Sequence, residues 1–128
     1  MNITLAQLES VLKKVWSKET CYFKSLEDRK YENPCIGHCT ITALIVQDYF
    51  WGDIVFCNHQ DHYRNKLPNG EIVDMTKNQM WEKEICCVDE KCDRTNLLEN
   101  HKSIQAKTKE RYLLLKHRVT IGIEELGK

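Results

Sequence analysis

The chain has 128 residues, 41% of them hydrophobic and 30% charged, the balance of one soluble globular domain that can bury a core without staples. Nineteen Lys and Arg offset nineteen Asp and Glu, so no net field draws the protein to DNA, RNA or an anionic membrane. The longest apolar run, residues 41–46, is too short to span a bilayer.

The first sixteen residues interrupt their apolar positions with Gln7, Glu9 and Ser10 and lack the unbroken hydrophobic stretch of a secretion signal. Seven cysteines, an odd number, then imply reduced thiols in a cytoplasm. Such thiols can serve as small buried hydrophobes, as metal ligands or as a nucleophile.

Residues 4–16 read as an amphipathic helix. Thr4 and Gln7 fit a capping box, and Leu5, Leu8, Leu12 and Val15 share one face at helical spacing. Residues 21–32 are polar and aperiodic, which predicts a loop or a short helical turn. Pro34 leads into a second helix, from Cys39 or Thr40 to about Phe50, whose nearly continuous apolar run predicts burial on all sides. Gly52 follows where a left-handed cap belongs.

Residues 53–57 (Asp-Ile-Val-Phe-Cys), 62–67 and 72–76 read as strands, the last two joined through Pro68-Asn69-Gly70. Residues 84–94 carry Cys86, Cys87 and Cys92 among charges and read as a loop. Residues 95–119 read as one long polar helix touching the body through Leu97, Leu98, Ile104, Tyr112, Leu113 and Val119. Two helices, a small antiparallel sheet and a closing helix make an α+β fold.

Chemistry concentrates in Cys39, His62 and Asp74. A thiol at a helix N-terminus feels the positive end of the backbone dipole, which favours thiolate, and the amides there can hold an oxyanion. A histidine and a carboxylate later in the chain supply a proton acceptor and a group to orient it.

Turn chemistry bears on whether the last two meet. Leu67-Pro68-Asn69-Gly70-Glu71 suits a type I turn followed by a left-handed glycine. Residue 67 then pairs with 71, residue 62 lies opposite 76, and 64 lies opposite 74. His62 and Asp74 would share one face of the hairpin as diagonal neighbours, roughly 7–8 Å apart at Cα. A two-residue Asn-Gly turn would instead put them on opposite faces.

Taken singly, each of the three has an ordinary structural explanation: a core cysteine, a strand histidine, a turn carboxylate. Asn33, six residues before Cys39, offers an amide for an oxyanion, although Asn-Pro is also a turn signal. Asn65 and Gln79 are further amides that could line a cleft. Cys57-x-His59-x-x-His62 with Cys86-Cys87-x4-Cys92 could alternatively assemble a zinc site, but neither half has the Cys-x2-Cys spacing of a zinc knuckle. Cys86 or Cys87 could also form a redox pair with Cys92. Trp16, Trp51 and Trp81 read as core or cleft-lining aromatics, and the mixed run 107–111 as a solvated helix face.

Several stretches together resemble the YunG-like family of small bacterial proteins. They are Trp16-Ser17-x-Glu19-Thr20, Asn33-Pro34-x-x-Gly37-x-Cys39, Thr42-Ala43-Leu44-x-Val46-Gln47-Asp48-Tyr49-Phe50-x-Gly52, His62-Tyr63-x-Asn65-x-Leu67-Pro68-x-Gly70 and Asp74-x-Thr76-x-x-Gln79. Leu97-Leu98-x-Asn100 and Thr108-x-x-Arg111-Tyr112-x-Leu114-Leu115-x-x-Arg118-Val119 complete the set. The resemblance covers nearly the whole chain. It implies a single cytoplasmic domain, marks Cys39, His62 and Asp74 as the family's cysteine, histidine and aspartate positions, and carries no reaction with it. The cysteine-rich segment 84–94 departs from the family pattern.

More loosely, cysteine, histidine and carboxylate in this order resemble papain-like and transglutaminase-like enzymes, in which a glutamine precedes the cysteine at the interval of Asn33. The expectation is therefore a cysteine-dependent hydrolase or acyltransferase on a papain-like or transglutaminase-like core. It would act on an amide or thioester-like bond of a peptide or small molecule, with no cofactor, nucleic acid or membrane partner. A non-catalytic binding module on the same scaffold and a zinc protein are the alternatives.

Overall fold

A computed structural model describes residues 3–21, 38–57, 62–76 and 89–127. The first helix, α1 (Leu5–Val15), begins with the capping box: Gln7 N–H donates to Thr4 Oγ1 at 3.1 Å, and Thr4 N–H donates to Gln7 Oε1 at 2.9 Å. These bonds satisfy two of the amides a helix start leaves without partners. The buried face centres on Leu8, Val11 and Leu12, while Leu5 and Val15 sit at its margins.

α2 (Cys39–Phe50) starts and stops where its residues predict, and Ile41, Thr42, Ala43, Leu44, Ile45 and Val46 are all buried. The cause is its position. α2 packs on the sheet and also on the C-terminal helix, so neither side needs a polar stripe. Its end reverses through two left-handed residues, Trp51 (φ 67°) and Gly52 (φ 81°). Trp51 is 76% exposed, so it belongs neither to the core nor to a closed cleft.

Among the described residues the sheet has four antiparallel strands in the order β3-β2-β1-β4: β1 (Asp53–Cys57), β2 (His62–Lys66), β3 (Ile72–Val73) and β4 (Asp89–Lys91). β3 is shorter than the run 72–76 suggests. Within the segment read as a loop, residues 89–91 form an edge strand on β1, with Val55 opposite Lys91 and Cys92 N–H donating to Ile54 O at 2.8 Å. Asp-Glu-Lys has no apolar alternation to announce a strand. Its pairing comes from backbone groups, with an exposed Lys91 Nζ–Asp53 Oδ1 ion pair at 3.5 Å beside them, and charged side chains are tolerated on an edge strand.

The C-terminal region is three helices rather than one: α3 (Arg94–Glu99), α4 (His101–Gln105) and α5 (Thr108–Leu126). Asn100 is extended (ψ 162°), closing α3 with its N–H to Asn96 O and opening α4 by accepting from Ser103 N–H. Lys107 takes a left-handed conformation (φ 55°) before α5. These breaks change the helical phase. Ile104 and Leu113, expected against the body, are therefore exposed; Tyr112 and Val119 are buried as expected, and α5 adds Thr108, Leu115 and Ile123. α5 packs on α1 and α2, so the core lies where these helices meet the face of the sheet carrying Ile54.

Candidate functional site

The β2–β3 turn adopts the longer geometry. Leu67 N–H donates to Glu71 O and Gly70 N–H to Leu67 O, both at 2.8 Å, and Gly70 has φ 90°. A residue with a Cβ is strained at that angle, so glycine is what lets three residues turn the hairpin. Asn65 then lies opposite Val73 and Lys66 opposite Ile72. Continued outward, this register sets 62 opposite 76 and puts His62 on the face of Asp74.

The two side chains meet. His62 Nε2 lies 2.8 Å from Asp74 Oδ1 and 2.9 Å from Oδ2. The imidazole is fully buried and the carboxylate is 18% exposed. A third side chain reaches the ring, because His62 also hydrogen-bonds to the Cys39 side chain. Helix α2 brings it there by packing across β2. Cys39 occupies the first position of α2 and is a half-buried thiol. Its Sγ lies 4.0 Å from Thr40 Oγ1.

The electrostatics follow from these contacts. Burial is the largest influence on His62 and lowers its pKa. The hydrogen bonds to Asp74 and to Cys39, with the negative charges of both, outweigh it and raise the value from 6.5 to about 9. The dry imidazole is thus held as a cation through neutral pH.

Cys39, His62 and Asp74 are brought together, whereas Asn33, Gly37 and Gln79 lie outside the described residues. Asn65 is present but does not line a cleft: it is buried, and its Nδ2 donates to Ala43 O at 2.9 Å, tying β2 to α2. Cys86, Cys87, His59 and the Cys57 side chain, which the zinc arrangement needs, also lie outside the description. Among the described residues no group of three or more His, Cys, Asp or Glu side chains could hold a metal ion. Cys92 is half-buried with its pKa raised by burial and then by Glu90.

Two residues near the site had no role assigned from sequence. His38, at the N-cap of α2, is fully buried; its Nε2 lies 2.6 Å from Thr20 Oγ1 and its ring 5.7 Å from that of Trp16. Trp16 Nε1–H donates to Thr42 Oγ1 at 3.0 Å. The segment after α1 thus clamps the first turn of α2 and sets where Cys39 begins. The second is Thr76, also buried beside His62. Its position opposite 62 was the available signal.

No described helix is long and apolar enough to cross a membrane. No solved structure matches the chain. A protein of Bacillus subtilis (strain 168), "Uncharacterized protein YunG", is 31% identical over 77 residues, covering 59% of this chain and 62% of that protein, so the match spans less than two thirds of its length. The profile of the YunG protein family matches residues 4–124. A match of that extent, over both the thiol helix and the hairpin that carries the imidazole and carboxylate, means that the chain belongs to the YunG family.

Proposed function

We propose that this protein is a cysteine-dependent hydrolase or acyltransferase acting on an amide or thioester-like bond, with Cys39, His62 and Asp74 as its catalytic set. The carrying observation is one imidazole bonded to a carboxylate through Nε2 and to a thiol at a helix N-terminus. Because Asp74 occupies Nε2, Nδ1 is the nitrogen that exchanges a proton with sulfur and with the reacting groups.

In this scheme the Cys39 thiolate attacks the carbonyl carbon, and the carbonyl electron pair moves onto oxygen, held by the first-turn amides of α2. Collapse of the tetrahedral intermediate expels the amine or thiol, which takes the proton from imidazolium. A water or acceptor nucleophile then gives its proton to the now neutral His62 and attacks the acyl-enzyme. Departure of the thiolate restores the ion pair.

The papain-like description of the core is part of the same proposal. It rests on a thiol opening a buried helix packed on an antiparallel sheet that carries the other two groups. A reducing compartment such as the cytoplasm would keep Cys39 in the form this chemistry uses.

The test is the pH dependence of Cys39 alkylation by iodoacetamide, followed by peptide mass mapping because the chain has seven cysteines. The wild type should react through an apparent pKa well below that of an ordinary thiol, about 8.5. Asp74→Asn should slow the reaction at pH 7 by about tenfold. A wild-type midpoint at or above the ordinary value would remove the activated nucleophile and favour a non-catalytic binding module.

A further inference from the structure

Building on the thiol–imidazole reading above, we propose that Thr76 is a positioning residue, setting the plane of the Asp74 carboxylate and through it the orientation of His62. Thr76 is 1% exposed. Its backbone N–H donates to Asp74 Oδ1 at 3.2 Å, the turn an aspartate makes with the amide two residues on. Its hydroxyl donates to the same Oδ1 at 3.4 Å and lies 3.5 Å from His62 Nε2.

The donor accounting is consistent. Nε2–H points at the carboxylate, the hydroxyl hydrogen points at Oδ1, and a hydroxyl lone pair faces Nε2. Oδ1 therefore receives from the imidazole, the amide and the hydroxyl together. A carboxylate with one exposed edge would otherwise turn toward water and carry the imidazole with it. Register explains why this residue is available: with 66 opposite 72, position 76 falls directly opposite 62.

The hydroxyl contacts are longer than an ordinary O–H···O bond, so the expected effect is smaller than that of removing Asp74. Cys39 alkylation is measured against pH in the full-length protein for Thr76→Val, Thr76→Ala and Thr76→Ser. Valine keeps the shape and loses the hydroxyl. Alanine loses it with less bulk and covers the case of a misfolded valine variant.

Both should react about three- to tenfold more slowly at pH 7, with the midpoint moved toward that of an ordinary thiol, while serine stays within about twofold of wild type. Valine and alanine profiles that overlay the wild type overturn the proposal, even if the melting temperature falls. So does a serine variant as slow as alanine. An effect of Asp74→Asn without one at Thr76 sinks the role of Thr76 alone; Asp74→Asn and Thr76→Val both matching wild type sinks the underlying site as well.

Discussion

His62 is a buried group whose folded-state pKa, about 9, stands above the unfolded value of 6.5. A raised pKa means that the native fold binds this proton more tightly than the unfolded chain does. The resulting stability is fully present below pH 6.5 and disappears as pH rises through about 9. The wild-type melting temperature should therefore fall between pH 7 and 10 more steeply than that of His62→Gln. Parallel curves would show that the imidazolium is not held as the geometry indicates. The helix start at Cys39 and the meeting of His62 with Asp74 across the hairpin were legible, because a capping position and a turn each fix them within a few residues. Burial of His38 and Thr76 was not legible, since both depend on which segment lies across them.

Elements were most legible where local chemistry had one outcome. The capping box of α1, the limits of α2 and the three-residue hairpin all follow from a few residues each. Gly52 extends this argument into a prediction. Its φ is 81°, and a Cβ placed there would lie 2.2 Å from Lys66 O, a backbone atom that cannot swing aside. Gly52→Ala should lower stability by about 1–3 kcal/mol in denaturant unfolding. It should also disturb the α2–β1 corner, visible as faster amide exchange in β1. A stability within about 0.5 kcal/mol of wild type would mean that the corner relaxes without cost. Elements defined by neighbours were illegible. β4 carries three charges and exists because β1 offers it a backbone edge. The breaks at Asn100 and Lys107 divide a sequence with no proline to mark them.

At the scale of the molecule, a polar strut joins α2, α3 and α5 far from the thiol. Asp48 pairs with Arg94 at 2.8 Å and with Lys116 at 3.3 Å, and accepts a hydrogen bond from Tyr112 OH. Arg94 also donates to Tyr112 OH at 2.7 Å and to Gln47 Oε1 at 2.9 Å. Burial, followed by the contact with Asp48, raises the Tyr112 pKa. Asp48 lies nine residues beyond Cys39, about 13 Å along the helix axis. Tyr112→Phe should therefore cost about 1–2 kcal/mol of stability and leave the pH profile of Cys39 alkylation unchanged. A shifted profile would couple the two ends of α2.

By itself the sequence determined the class of fold, the buried central helix and the hairpin register, because dihedral preferences, capping and apolar spacing act within a few residues. Tertiary structure alone decided that α2 crosses β2 with its first residue at His62, that an edge of β1 recruits three charged residues, and that α5 turns Leu115 rather than Leu113 inward. Those outcomes depend on contacts between segments far apart in the chain, where burial and pairing override local preference.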